Sequence, residues 1–117
     1  LRRKVAVRLR ASLRASDVVA SIGNDSFVVL LAWIDAPTDG QRVAKKLVDA
    51  LHQQFSVAGN DLSVTVHAGL ALYPENGKTA DVLLRRSVGQ AASLASMGGE
   101  GIGTAIERGR DAAANDT

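Results

Sequence analysis

Residues 18–34 read VVASIGNDSFVVLLAWI, two apolar runs separated by a short segment rich in glycine, asparagine and aspartate. Val, Ile and Phe favour strands, whereas Gly, Asn and Asp tolerate the positive φ angles of a tight turn. The stretch therefore predicts a β-hairpin with strands at 18–22 and 27–34. At its tip, Asp25 would hold a carboxylate within reach of a metal ion or a phosphate group, and its neighbour Ser26 adds no charge.

Size and composition exclude several classes of protein. The chain has 117 residues, which is enough for one domain with a buried core. It has no cysteine, so disulfides, thiolate metal sites and cysteine nucleophiles are excluded. No apolar run reaches the roughly 18 residues of a membrane span, and no signal-peptide pattern opens the sequence. We expect a cytoplasmic domain with no membrane partner.

Apolar spacing and turn residues predict the other elements. Residues 1–16 suit either a helix or an alternating strand, and their many Ala, Arg and Leu residues favour the helix. The remaining predictions are a helix over 41–54, a strand over 55–57, a turn over 58–61, a strand over 62–72, a helix over 79–97 and a strand over 102–106. This order predicts an α/β sandwich with a mixed sheet. The domain would end near residue 107, with 108–117 as a tail or linker.

Basic residues crowd the first segment, although the net charge is only +2. No acid precedes Asp17. Such a cluster is typical of an anionic-ligand or nucleic-acid surface, and equally of the solvated face of an amphipathic helix. No aromatic residue interleaves with the cations, which disfavours a stacking platform for single-stranded nucleic acid. The cluster consists of Arg2, Arg3, Lys4, Arg8, Arg10 and Arg14.

The hairpin and its surroundings resemble the GGDEF family of diguanylate cyclase domains. The family signature is Gly-Gly-Asp/Glu-Glu-Phe on a hairpin, and its place is taken here by Gly23-Asn24-Asp25-Ser26-Phe27. An Arg-x-x-Asp motif commonly precedes that signature by five residues, and residues 14–17 match it. Residues 64–74, which read VTVHAGLALYP, resemble the later core strand of the family, and the helix after 83–86 resembles the next helix.

The resemblance implies the nucleotidyl-cyclase-like α/β (α+β) fold over nearly the whole chain. Members of the family begin with a helix and a central strand that carries a metal-binding Asp. This sequence begins inside the next helix, so we expect a domain that is incomplete at its N-terminus. A segment of the protein, a second copy or a rearranged sheet would then cover the place of that strand.

The signature residues depart from the catalytic pattern of the family. Diguanylate cyclases condense two GTP molecules, one on each subunit of a dimer, and phosphoryl transfer of this kind needs a divalent metal, carboxylates and cations. Asp25 matches the first signature acid and could bind magnesium, or it could be a plain turn residue. Ser26 replaces a Glu, and Asn24 replaces a Gly. Further departures on the later helix are Val88, Ala95 and Gly99. The resemblance thus implies an inactive domain without a cofactor, with magnesium required only if the site were retained.

Arg14 and Asp17 match the inhibitory site of the family, where cyclic di-GMP binds. An Arg fork suits the O6/N7 edge of guanine or a phosphate, and a carboxylate accepts from guanine N–H groups. Lys46 lies near the place where relatives offer a further Arg, although Lys gives a point charge in place of a fork. The alternative is a surface ion pair that closes the first helix into the strand.

The resemblance therefore predicts a regulatory, scaffolding or cyclic di-GMP-binding module of bacterial second-messenger signalling. Its expected partners are a sensor domain or a phosphodiesterase EAL domain in the same protein and a second copy in a homodimer. Two alternatives stay open: an active diguanylate cyclase that makes cyclic di-GMP from two GTP, and a basic nucleic-acid-binding domain, which the first segment alone favours.

Overall fold

The computed structural model describes residues 1–23, 25–99 and 101–104. They form two compact units, Leu1–Thr65 and a second unit that begins at Val66. The elements are α1 (Arg2–Ala11), β1 (Val18–Ile22), β2 (Ser26–Leu30), α2 (Pro37–His52), β3 (Phe55–Val57), β4 (Asn60–Leu62), β5 (His67–Leu70), α3 (Ala80–Ser96) and β6 (Gly101–Thr104). The predicted tail at 108–117 and the predicted strand residues 105 and 106 lie outside the described residues.

The strands of the described residues form three pairs. β1 pairs with β2 and β3 with β4, both antiparallel, whereas β5 pairs with β6 in parallel. The mixture of helices with antiparallel and parallel strands confirms the predicted α/β class. In this part of the chain, the strands are arranged as three two-stranded ladders.

In the first unit, α1, α2 and β3 each contribute a buried apolar side chain. These are Leu9, Val48 and Phe55, and Phe55 is only 1% exposed. Predicted strand β1 is confirmed from Val18 to Ile22, and the predicted helix of the first segment is confirmed but ends at Ala11. Aliphatic side chains at helical spacing bury one stripe of each helix, which explains why the helical interpretation of the first segment prevails.

Strand β2 is shorter than predicted because side chains of the preceding segment bind its continuation. The prediction ran to Ile34, whereas the strand ends at Leu30. The N–H of Ala32 donates to the Asp17 carboxylate, and the carbonyl of Trp33 accepts from Arg14. Backbone groups engaged with side chains in this way are diverted from a strand ladder.

Helix α2 begins at Pro37, four residues before the predicted start. Proline suits the first helical position because its missing N–H would have no helical partner there. The Asp39 carboxylate accepts from the N–H groups of Asp35 and Ala36 at 3.2 and 3.1 Å. These bonds cap the helix and place an anion at the positive end of its dipole.

The prediction of one long strand over 62–72 is wrong, because the two ends of this segment pair with different strands. β4 ends at Leu62 after a tight turn from β3, and β5 begins only at His67, where it pairs with β6. The chain turns again after Leu72, whose N–H donates to Asn76 Oδ1 at 2.7 Å. Alternating apolar residues are compatible with one long strand or with two short ones, so the pattern does not show where the strand is interrupted.

In the second unit, α3 packs against β5, and both helix ends follow the prediction. The Thr79 side chain accepts from the N–H of Val82 at 3.2 Å as the N-cap. Gly98 has a φ of +71°, and the N–H of Gly99 donates to the carbonyl of Leu94 at 3.0 Å. A left-handed glycine with this hydrogen bond is a common way to satisfy the last carbonyls of a helix.

Candidate functional site

The β1–β2 hairpin places Asp25 in solvent at its tip. Ile22 lies opposite Ser26 in the antiparallel register, and Gly23 follows β1 with a φ of +65°. Glycine adopts this left-handed φ without steric cost, which explains the residue at this position. Asp25 and Ser26 are both exposed. The predicted site residue Asn24 lies outside the described residues.

The last signature residue is part of the strand ladder. Phe27 lies half-buried on β2, opposite Ser21 of β1. Its ring therefore contributes to packing, whereas Asp25 and Ser26 before it are exposed to solvent. Among the described residues of the hairpin tip, Asp25 presents a carboxylate and Ser26 a hydroxyl.

This tip does not by itself form a magnesium site. Magnesium in phosphoryl-transfer sites is usually held by one or two carboxylates together with phosphate oxygens and water. Within residues 1–23, 25–99 and 101–104, no group of three or more His, Asp or Glu side chains is arranged to hold a metal ion. Asp25 would be one ligand among several, and the described residues do not supply the others.

Arg14 and Asp17 are brought together in the turn between α1 and β1. The N–H of Arg14 donates to Asp17 Oδ2 at 2.9 Å, and Arg14 Nε lies 3.6 Å from the same oxygen. The N–H of Ala32 donates to Asp17 Oδ1 at 3.4 Å. The carboxylate therefore joins the end of the first segment to the end of β2.

The Asp17 carboxylate is buried, with its side chain only 3% exposed. Burial raises the pKa of this carboxyl, because the charged form loses its hydration. The N–H groups of Arg14 and Ala32 and the charge of Arg14 outweigh that effect, so the pKa of Asp17 lies below its ordinary value of 3.8. Both carboxylate oxygens thus accept from backbone N–H groups, and little of the carboxylate faces solvent.

Arg14 differs from its partner in being open to solvent. Its side chain is 62% exposed. Nη2 donates to the carbonyl of Trp33, and Nε faces Asp17. Among the described residues, Nη1 makes no hydrogen bond, so that edge of the guanidinium is available to an anionic or carbonyl ligand. Of the predicted pair, Arg14 is the residue that a ligand could reach directly.

The third predicted ligand residue is not brought into contact with this pair. Lys46 lies exposed on α2, and within the described part of the chain no hydrogen bond or ion pair joins it to Arg14 or Asp17. Its neighbour Lys45 binds Asp49 at 2.9 Å along the same helix. The role that the resemblance implies for Lys46 therefore stays a prediction.

Most cations of the basic first segment bind oxygens of the chain itself. Arg2 donates to Ser21 Oγ, and Lys4 donates to the carbonyl of Ser56. Arg10 donates to the carbonyls of Asp17 and Arg14. These contacts favour the structural interpretation of the segment over a nucleic-acid surface.

Arg8 has the largest share of such contacts. Its guanidinium donates to the carbonyls of Ala50 and Gln54 at 3.2 and 2.9 Å and to that of Gln53. It also lies 3.5 Å from the ring centroid of buried Phe55. A cation at the carbonyl end of α2 complements the helix dipole, and its stacking on the ring adds a cation–π contact. Arg8 thereby joins α1 to the end of α2.

The residues of α3 that differ from the family pattern lie on the solvent-exposed surface of the helix. Val88 is 47% exposed, and Ala95 is also exposed. Neither side chain carries a charge that could contact a phosphate group. Gly99 lies just beyond the helix and takes part in its termination.

Sequence reasoning missed the contribution of residues 32 and 33. The N–H of Ala32 and the carbonyl of Trp33 complete the surroundings of Asp17 and Arg14. Backbone groups carry no residue-specific signal, so no motif could have revealed them. The one available hint was Trp33 itself, the single tryptophan of the sequence.

Comparison with known proteins places this geometry in a family. The family model of the diguanylate cyclase GGDEF domain matches residues 2–99. The bifunctional diguanylate cyclase/cyclic di-GMP phosphodiesterase MucR of Pseudomonas aeruginosa is 36% identical over 81 residues, which is 69% of this chain. The diguanylate cyclase TpbB of the same species is 37% identical over 81 residues, which is 68% of this chain. The chain spans 12% of the length of MucR and 19% of the length of TpbB.

Solved structures agree with the sequence relatives. The GGDEF domain of TpbB (YfiN) from Pseudomonas aeruginosa matches with a TM-score of 0.81 and 29% identity, covering 86% of this chain and 63% of that one. An EAL/GGDEF domain protein from M. capsulatus matches with a TM-score of 0.79 and 32% identity, covering 87% of this chain and 66% of that one.

None of the helices among the described residues has the length and apolar character that a membrane span requires.

Proposed function

The chain belongs to the GGDEF family of diguanylate cyclase domains, and we propose that it is a member without cyclase activity that binds cyclic di-GMP and so regulates or scaffolds its protein. The observation that carries this proposal is the hairpin tip, where uncharged Ser26 follows exposed Asp25. A hydroxyl supplies neither the charge that holds a metal ion nor a base for proton transfer.

Further support for inactivity comes from the cations. Phosphoryl transfer needs positive groups around the triphosphate. Ala95 stands where the resemblance places a phosphate-contacting Lys and Gly99 where it places an Arg, and neither carries a charge. Four of the five cations of α1, namely Arg2, Lys4, Arg8 and Arg10, donate to oxygens of the chain. We also propose that the domain, residues 1–107, uses no metal cofactor.

Support for ligand binding comes from the exposed guanidinium of Arg14. Its side chain is 62% exposed and held in place by Asp17 and by the carbonyl of Trp33. A fixed guanidinium with a free edge suits bidentate recognition of guanine or phosphate. Asp17 would act by fixing Arg14, since its own oxygens already accept from backbone N–H groups.

The named relatives suggest the setting in which such a module works. MucR is described as both a cyclase and a phosphodiesterase, and the M. capsulatus protein as having EAL and GGDEF domains. We propose that this chain likewise works in the cytoplasm beside an EAL or sensor domain, and that it pairs with a second copy.

The first test is turnover of GTP. Incubation of the chain with GTP and magnesium or manganese should yield no cyclic di-GMP above the level of a no-enzyme sample, as followed by chromatography. Diguanylate cyclase TpbB, run in parallel, is the positive control. Sustained production of cyclic di-GMP would favour the competing function, an active cyclase, for which the named activity of TpbB is the supporting observation.

The second test is calorimetric titration with cyclic di-GMP. We expect saturable heat from the chain and loss of that heat in Arg14→Ala. Arg85→Ala is a matched control, because Arg85 is also exposed and pairs with an acid, Asp81, at 3.1 Å. Absence of heat with the unaltered chain would leave only the scaffolding role, and an equal loss in both variants would show that Arg14 has no specific part.

A further inference from the structure

Trp33 is an exposed aromatic residue on a restrained backbone. Its side chain is 75% exposed, although large apolar rings are usually at least partly buried. Its carbonyl accepts from Arg14 Nη2, and the preceding N–H, that of Ala32, donates to Asp17 Oδ1 at 3.4 Å. The indole is therefore presented to solvent from a segment whose position is set by the Arg14–Asp17 turn.

The same turn holds the guanidinium of Arg14 against the backbone carbonyl of Trp33. Arg14 touches the Trp33 carbonyl, its side chain is 62% exposed, and its Nη1 makes no hydrogen bond among the described residues. Asp17 is 3% exposed and accepts from two backbone N–H groups, so it presents little to a ligand. The exposed indole of Trp33 and the exposed guanidinium of Arg14 are thus carried by residues joined by a hydrogen bond.

We propose that Trp33 is a ligand-binding residue that stacks on a guanine base of cyclic di-GMP while Arg14 binds the edge or the phosphate of the same nucleotide. A purine offers a π-face to the indole and N7 and O6 acceptors to the guanidinium. Neither residue alone provides both contacts. This inference rests on the proposed function and adds a residue to the same site.

Binding measurements on Trp33 variants test the role of the ring. Stacking of one base on an aromatic side chain corresponds to about a 5- to 150-fold change in affinity. We expect Trp33→Ala to weaken cyclic di-GMP binding within that range and Trp33→Phe to restore part of the loss. Tyr73→Ala is the matched control, because Tyr73 is 68% exposed and lies in the second unit. Circular dichroism of each variant checks that the fold is kept.

Because Trp33 is the single tryptophan of the sequence, its fluorescence reports on this place alone. A stacked guanine should quench the emission with the same midpoint as the calorimetric titration. Heat without quenching, together with unchanged affinity of Trp33→Ala, would overturn this inference and leave the proposed function intact. Absence of both heat and quenching would overturn ligand binding and the role of Trp33 together.

Discussion

Asp17 and Arg14 differ sharply in exposure, although they belong to one short motif. The buried carboxylate of Asp17 accepts from the N–H groups of Arg14 and Ala32, whereas the Arg14 guanidinium remains exposed. A buried carboxylate is stabilised only when hydrogen bonds and a positive charge replace its hydration. Asp17 therefore stabilises the first unit, whereas the Arg14 side chain stays exposed to solvent.

Asp17→Asn should destabilise the first unit by about 2 kcal/mol near neutral pH, because an amide offers only one acceptor oxygen to two N–H donors. The pKa of Asp17 is lowered in the folded chain, so its stabilising contribution is complete above 3.8 and is lost as the pH falls through the lowered pKa. The difference between the two proteins should therefore shrink in acid. Urea unfolding at a series of pH values measures it.

The control for this experiment is Asp61→Asn, which alters an exposed aspartate of β4 in the same unit. We expect it to change stability by no more than about 0.5 kcal/mol at any pH. A loss in Asp17→Asn that stays the same from neutral to acidic pH would contradict a role for the ionised carboxylate.

At the scale of the element, α3 and β5 pack so closely that a strand residue has no room for a side chain. A Cβ on Gly69 would lie 1.8 Å from the carbonyl oxygen of Ser87 and 2.9 Å from the N of Ala91. Both are backbone atoms of the helix, so the helix itself would have to move. The glycine thus sets the distance between the helix and the strand.

Gly69→Ala should destabilise the second unit by about 3 kcal/mol, because overpacking against backbone cannot be relieved by a rotamer change. Gly89→Ala on α3 is the matched control, since a Cβ there meets nothing within 4 Å. In a helix interior that change should stabilise by roughly 0.5–1 kcal/mol. Thermal unfolding of both variants measures the two effects, and equal stability of the variants would contradict this account of the packing.

On the scale of the whole molecule, the charges of the first segment are mostly engaged with the chain itself. Arg8 is the clearest case, because its guanidinium donates to three carbonyls at the end of α2 and makes a cation–π contact with the ring of Phe55. The net charge is only +2. Nucleic-acid binding depends on the number of cations that can contact phosphates, and most of the cations of the first segment already donate to oxygens of the chain.

We therefore expect no binding to duplex DNA or to RNA at about 50 mM salt, the condition that most favours phosphate contacts. Gel-shift titration measures this, with a basic DNA-binding protein as the positive control. A complex whose affinity falls steeply as salt rises would revive the nucleic-acid hypothesis.

Much of the fold followed from local patterns. The hairpin, β1, β3 and α3 with its Thr79 cap and Gly98 end were predicted because turn residues, caps and apolar spacing act on neighbouring residues. The strand predictions are wrong where residues distant in the sequence bind the backbone of the predicted strand. Strand β2 stops where Arg14 and Asp17 bind residues 32 and 33, and the strand predicted over 62–72 divides between two partners.

The sequence likewise revealed some features of the candidate site and not others. The spacing of Arg14, Asp17 and the hairpin was visible in the sequence, and the structure does join Arg14 to Asp17. Lys46 was predicted beside them, but no contact among the described residues joins it to the pair. The open edge of Arg14 and the neighbouring indole of Trp33 could not be seen, because exposure depends on how separate segments meet.

The amino-acid sequence by itself determined the family, the hairpin and the residue types at its tip, since these depend on identity and short-range spacing. Only the tertiary structure decided which side of the Arg14–Asp17 pair faces solvent and which cations of the first segment are already bound. The physical reason is that burial and hydrogen bonding are settled by residues far apart in the chain, such as Asp17 with Ala32 and Arg8 with Gln54.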